Sequence, residues 1–242
     1  MNDTDKLINL IKKSTRIVFL GGAGVSTESG LKDFRSKDGL YSEKYKFPPE
    51  VILSHSFFIS QTDQFYEFYK KKLNSLKYKP NITHYVLAKM EKKGMLDCVI
   101  TQNIDGFHQE AGSLNVLELH GSINRNYCLK CHKFYDASYV FNSKKIPLCS
   151  CGGIIKPDVV LYEEPLNYDT LEKAILAISN CDLLIIGGTS LNVYPAASLI
   201  NYFKGRNIVL INHDTTLYDN RCSLIINDNI GDVFKKIEKE IL

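Results

Sequence analysis

The chain has 242 residues, of which 44% are hydrophobic and 24% charged, and its formal charge is +3. That length suits one hydrophobic core, or one large core with a small insertion, and the composition is that of an ordinary soluble globular protein. The charge is too small, and the basic residues too dispersed, to argue for nucleic acid or membrane partners; Lys70, Lys71 and Lys72 read as a solvated helix face.

The N-terminal stretch MNDTDKLINLIKKS has acids before its basic residues and no long apolar core, so it does not read as a signal peptide. Leu7, Ile8, Leu10 and Ile11 recur at helical spacing and predict an amphipathic first helix. No stretch approaches the roughly 20 apolar residues of a membrane span. A cytoplasmic protein with reduced thiols is expected. RIVFLGG (16–22) is a short apolar run ending in glycines, and VITQN (99–103), VLELHG (116–121), DLLIIGGTS (182–190), NIVLIN (207–212) and SLIIND (223–228) read similarly. Near-continuous apolar strands predict a parallel sheet buried on both faces. Helical patterns over 80–94, 169–180, 195–205 and from Gly231 alternate with them, which predicts an α/β doubly wound, Rossmann-like fold.

Two stretches interrupt that rhythm. Residues 35–75 are aromatic and helical, with Phe57, Phe58, Phe65, Tyr66, Phe68 and Tyr69. Residues 122–157 hold Cys128, Cys131, Cys149 and Cys151. Both are expected to form a smaller helical and zinc-binding module, leaving 1–34, 76–121 and 158–242 to the nucleotide-binding domain. CLKCH alone fits haem attachment, a redox dithiol or half a zinc site. A reducing compartment disfavours haem, and two close thiol pairs across seventeen residues favour tetrahedral zinc over a redox role. Such a shell leaves no open position for water, so the zinc is expected to be structural. Cys98, Cys181 and Cys222 lie in or beside apolar runs and are expected in the core.

The polar ends of the strands carry the candidate chemistry. GGAGVSTESGLKDFR (21–35) follows the first strand, but Thr27 stands where the third glycine of a dinucleotide fingerprint belongs. It reads as a phosphate-facing turn or an ordinary strand-to-helix loop. TQNID (101–105) could hydrogen-bond a ribose and an amide, or form a plain Asx turn. His120 could be a general base or structural, whereas His55, His84, His108, His132 and His213 read as structural or surface. GGTSLNVYPAA (187–197) is a second ligand-facing turn, and Asn212 ends another strand.

Jointly, GAGVSTESGLKDFR, TQNID, the HG of ELHGS, the four cysteines, KPDVVLYEE, GTSLNVYPAA and VLIN resemble the sirtuin family over nearly the whole chain, as a bacterial-type single-domain member. The resemblance implies an NAD-dependent protein lysine deacetylase that releases nicotinamide, free lysine and O-acetyl-ADP-ribose. It implies that Gly22, Ala23, Gly24, Asp33, Phe34 and Arg35 line the NAD site. Gln102, Asn103 and Asp105 would hold the nicotinamide ribose and carboxamide. Gly188, Thr189, Ser190 and Asn212 would face the adenosine half, and His120 would be the base. Val160, Leu161, Tyr162, Glu163 and Glu164 would flank an extended acylated peptide opposite Asn192, Val193 and Tyr194, by strand addition. Two departures stand out: Lys32 replaces a common proline, and Tyr162-Glu163-Glu164 replaces Phe-Gly-Glu. Tyr69 and Lys72 occupy the spacing at which relatives selective for acidic acyl groups carry Tyr-x-x-Arg, and lysine lacks the carboxylate-gripping fork, so acetyl or another uncharged acyl group is expected. The co-substrate is NAD, the metal one zinc, the partner an acylated protein segment and the protein a monomer. Alternatives are deacylation of longer or acidic chains, protein ADP-ribosylation, or a non-enzymatic NAD-sensing, peptide-binding module.

Overall fold

A computed structural model describes residues 2–33, 39 and 45–242. The strands are β1 (Ile17–Gly21), β2 (Leu96–Thr101), β3 (Val116–Glu118), β4 (Gly121–Cys128), β5 (Phe134–Tyr135), β6 (Ile155–Val159), β7 (Leu183–Gly187), β8 (Asn207–Ile211) and β9 (Leu224–Ile226). The helices are α1 (Asp3–Lys13), α2 (Pro49–Ile52), α3 (His55–Ser60), α4 (Thr62–Lys72), α5 (Ile82–Lys92), α6 (Phe107–Glu110), α7 (Ala137–Asn142), α8 (Tyr168–Asn180) and α9 (Ile230–Ile241). No helix among the described residues is long and apolar enough to cross a membrane.

Six strands form one parallel sheet in the order β3-β2-β1-β7-β8-β9, the arrangement of a doubly wound nucleotide-binding fold. β1 and β7 are buried at every position, which is why their sequences are unbroken apolar runs. One face packs on α1, α5 and α9 through Leu7, Leu87 and Phe234, with Phe19 edge-on to Phe234 at 5.8 Å. The other packs on α8 through Ala174 and Ile178 and also holds Cys98 and Cys181, with Cys222 half-buried beside them. The segment expected to be helical after Pro195 is a 3-10 helix, Ala196–Tyr202. The Ser198 hydroxyl and N–H both bond the Pro195 carbonyl, at 2.7 and 3.0 Å, and this i→i+3 pattern winds the turn tightly.

Two glycine turns interlock where the strand order reverses. The Gly22 N–H bonds the Gly187 carbonyl at 3.1 Å and the Gly24 N–H bonds that of Gly188 at 2.8 Å. A Cβ on Gly24 would lie 2.7 Å from Gly188 Cα, and one on Gly188 (φ +59°) 2.4 Å from the Val25 nitrogen. Both positions therefore require glycine, one for space and one also for its left-handed backbone.

The two interruptions share one core. β4 pairs antiparallel with β5 and β6, so the small sheet begins one residue before and ends two beyond the expected 122–157. Phe57, Phe58, Phe65, Tyr66 and Tyr69 pack against Ile123, Cys128 and Ile155, and the Tyr66 hydroxyl donates to the Ile155 carbonyl. Lys70 is not simply solvated: its ammonium donates to the carbonyls of Ser143 at 2.8 Å and Lys145 at 2.7 Å, tying α4 to the end of α7.

Cys128, Cys131, Cys149 and Cys151 bring their sulfurs within 4.8 Å of one another. Three pairs stand 3.4–3.5 Å apart, far beyond a disulfide bond and close to the roughly 3.8 Å edge of a tetrahedron built on Zn–S bonds of about 2.3 Å. The N–H groups of Lys130 and Cys151 point at the sulfurs of Cys128 and Cys149. The Cys149 thiol is drawn down to about 5, first by that backbone donor, whereas Cys131 is held up at about 12, its Lys133 backbone bond outweighed by the neighbouring thiols. His132 is exposed and outside the cluster. The donor set fits one zinc ion that closes two loops and has no open position.

Cys128→Ser should lose the metal and much of the folded population, since structural zinc supplies about 10–16 kcal/mol of coupled folding in small peptides. Metal analysis beside circular dichroism checks this, and metal-free protein of unchanged stability would contradict it. Gly24→Ala should force the two turns apart and cost about 1–3 kcal/mol, read as a lower urea midpoint with an unchanged slope.

Candidate functional site

The crevice lies beyond the carboxyl ends of β1 and β7, where open α/β sheets bind ligands. The chain leaves β1 through two 3-10 turns, Ala23–Val25 and Thr27–Ser29. The N–H groups of Gly22 and Gly24 are already bonded to the neighbouring turn. Among the described residues the Ala23 N–H has no partner and remains available to an anion.

Ser26 joins this turn to the end of β2. Its hydroxyl donates to Asp105 Oδ2 at 2.7 Å and accepts from Asn103 Nδ2 at 3.1 Å. Asn103 is fixed in turn by its own N–H on Thr101 Oγ1 at 3.0 Å. The Phe107 N–H bonds Asp105 Oδ1 at 2.9 Å. Burial pushes the Asp105 carboxyl above its usual range, while the Phe107 and Ser26 donors oppose that shift. Glu118 adds a smaller push in the same direction as burial, and Glu118 is itself bonded by Arg125 at 2.6 Å.

His120 sits in the turn between β3 and β4. Its Nδ1 lies 2.8 Å from the Gln102 carbonyl, which can only accept, so Nδ1 carries the proton and Nε2 the lone pair. Burial pushes its pKa below the ordinary 6.5, opposed by that hydrogen bond. A neutral imidazole with a basic Nε2 is what a general base requires. The Gln102 carboxamide faces Thr189 at 3.5 Å, and its buried Nε2 has no hydrogen-bond partner. A buried amide donor without a partner calls for a ligand acceptor or water. With the glycine cradle, this polar crevice fits an elongated ligand bearing phosphate and ribose oxygens.

Beside the crevice the Val160 N–H bonds the His120 carbonyl at 3.0 Å. Tyr162 bridges to Ser54, giving its N–H to Leu53 and accepting from His55. Glu163 has φ +76°, the left-handed region, where the related motif has glycine. Its carboxylate bonds the Ser56 N–H and hydroxyl, both at 2.9 Å, capping α3. The Glu164 carboxylate takes bonds from Leu161 N–H, Lys156 and His55. In the turn after β7, Asn192 and Tyr194 are exposed and Val193 is half-buried.

Phe34 and Arg35 fall outside the described residues, and Asp33 is half-buried at the end of the loop. Asn212 follows β8, its amide held by the Asp214 carbonyl at 2.8 Å, while Ser190 is half-buried in the turn after β7. Tyr69 is fully buried, stacked between Phe65 and Phe141 at 5.5 and 5.4 Å, and among the described residues its hydroxyl is buried without a partner. On α4 that register turns inward, into the aromatic core, and Lys72 instead lies 5.3 Å over the Tyr45 ring. Ser26 and Asn81 are site residues that sequence reasoning missed. Asn81 bonds the Val25 carbonyl at 2.8 Å and Ser29 at 3.0 Å; its only sequence signal is the cap position before α5.

The model of the Sir2 family matches residues 22–195. A protein named NAD-dependent protein deacetylase from Clostridium tetani is 55% identical, covering 100% of this chain and 99% of its own length. One of the same name from Clostridium perfringens is 57% identical, over 96% and 97%. Among solved structures, Sir2 with a p53 peptide and NAD+ superposes with a TM-score of 0.87 at 38% identity, covering 99% of this chain and 98% of the other. A Sir2 variant with a deacetylated p53 peptide and 3′-O-acetyl-ADP-ribose gives 0.92 at 37% identity, covering 99% of both. Matched along its whole length in sequence and in fold, the chain belongs to the Sir2 family.

Proposed function

We propose that this protein removes acetyl groups from lysines in extended protein segments, consuming NAD and one water and giving nicotinamide, free lysine and O-acetyl-ADP-ribose. The observation that carries this reading is His120, held in the tautomer that leaves Nε2 basic, with burial keeping it neutral. A binding module without catalysis has no use for that arrangement. NAD supplies the ribose carbon that receives the acyl oxygen as nicotinamide leaves.

The chain's own residues divide the remaining work. Gly22, Ala23 and Gly24 bring backbone close to the pyrophosphate, with Gly188, Thr189, Ser190 and Asn212 on the adenosine side. Asp33, Phe34 and Arg35 continue that cofactor surface. Gln102 and Asn103 hold ribose hydroxyls, and the Ser26-braced Asp105 orients the carboxamide so that nicotinamide can depart. His120 Nε2 then takes a ribose hydroxyl proton, freeing that oxygen to attack the acyl-derived carbon. Val160 to Glu163 on one side and Asn192 to Tyr194 on the other present backbone to the substrate segment, which makes sequence selectivity loose. Free thiols arranged for zinc suit a reducing cytoplasm, where we place the reaction.

Incubation with NAD and an acetylated peptide should yield nicotinamide and free lysine in equal amounts. His120→Ala should fold and still bind NAD but lose at least about 100-fold in deacetylation, the low end for a positioned base; near-normal turnover would remove it from the mechanism. The base works only when unprotonated, so activity should fall as pH drops through its folded pKa. Because burial lowers that value in the free protein, the acid limb of the kcat/KM profile should have its midpoint below 6.5, and a midpoint above it would show that the imidazole is not held neutral.

A further inference from the structure

α9 is the helix on which Phe19 and the sheet rest, and its N-terminus lies at the crevice, where a Cβ on Gly187 would come within 2.6 Å of Ile230 Cδ1. Its own cap residue does not cap it. Asn229 makes no side-chain cap bond, because its Oδ1 lies 3.0 Å from His213 Nε2. The donor left over at the second helical position, the Gly231 N–H, is bonded instead by Glu28 Oε1 at 2.8 Å, from 203 residues away in the chain. The fit is close: a Cβ on Gly231 would lie 1.9 Å from Glu28 Oε2. A carboxylate at a helix N-terminus is favoured both by the free donor and by the helix dipole.

Glu28 belongs to the second 3-10 turn of the loop between Gly24 and Asp33. Its own backbone bonds are the short-range i→i+3 bonds of its two 3-10 turns, which do not tie it to the rest of the fold. Among the described residues, side-chain ties hold it at three places: Ser26 to Asp105 and Asn103, Asn81 to Val25 and Ser29, and Glu28 to α9. The first two fix its inner side against β2 and α5. The Asn81–Ser29 bond and the Glu28–Gly231 bond both hold the turn that leads on to Asp33, and among the described residues the latter ties it to α9. From this we infer that Glu28 is a positioning residue for NAD: by capping α9 it holds the cofactor loop in its binding conformation. The inference rests on the deacetylase reading for its kinetic consequence, but not for the latch itself.

The test uses full-length, zinc-loaded protein and approaches the contact from both sides. Glu28→Ala removes the carboxylate. Gly231→Ala leaves Glu28 in place but fills the space its carboxylate occupies, and alanine is otherwise the better helix residue there. Each should raise KM for NAD about fivefold, the scale of losing one helix cap, with KM for the acetylated peptide little changed and the thermal midpoint lowered by no more than about 2–4 °C. The double variant should be no worse than either single one. Glu28→Gln keeps an acceptor and should stay within about twofold of the parent. In the absence of NAD, amide hydrogen exchange over residues 23–30 should speed up in both alanine variants. That last reading decides the latch without reference to catalysis, so a failure of the deacetylase assay in the parent would be distinguishable from a failure here. Unchanged exchange in both alanine variants, or equal rises in both KM values, would overturn the inference.

Discussion

Two backbone hydrogen bonds between neighbouring glycine turns set the geometry of the whole crevice. The N–H groups of Gly22 and Gly24 reach the carbonyls of Gly187 and Gly188, and the backbones meet so closely that a Cβ on Gly24 or Gly188 would lie under 3 Å from the other turn. This contact stands where the strand order reverses between β1 and β7. The glycines thus bring two turns together and do not themselves line up donors for an anion. What they leave facing the crevice is the Ala23 N–H, the buried Gln102 amide and the hydroxyl of Thr189.

Around that contact the polar side chains brace one another. Ser26 joins Asn103 to Asp105, and Thr101 orients Asn103 through its backbone. Each group in the network has a partner, which is how a buried carboxyl is held where burial alone would favour its protonated form. His120 is treated differently. One nitrogen is committed to a carbonyl and the other is left basic, so the same burial that lowers its pKa prepares it for proton removal. Behind the loop, His84 and His108 are also buried, with rings 4.7 Å apart, and burial presses His84 down to about 4. Neutral at ordinary pH and packed against Phe107 and Phe19, they serve the core.

The small module depends on two supports of different kinds. Aromatic rings from α3 and α4 fill its centre, and four clustered thiols close its far end. Residues of both interruptions join in one core with β4 and β6. Glu163 and Glu164 link that module back to the groove. Their carboxylates bond Ser56, His55, Lys156 and the Leu161 N–H. The two acids therefore brace the segment 160–164 and do not stand free in it.

The sheet was legible in the sequence because a parallel strand buried on both faces needs an unbroken apolar run, and all six runs became strands. The four cysteines were legible because tetrahedral thiolate ligation restricts ligand spacing. His120, Gln102, Asn103 and Asp105 could be named as candidates because polar residues at the end of an apolar strand have nowhere to go but the crevice. Local pattern could not say that Ser26 joins Asn103 to Asp105, that Lys70 ties two helices, or that Tyr69 turns inward between Phe65 and Phe141. Nor could it find the cap that Glu28 supplies to α9. Periodicity and spacing along the chain report which residues must be buried or must share a ligand. Which distant side chain meets a given buried donor depends on how separate elements dock, and that was decided only when the tertiary structure brought them together.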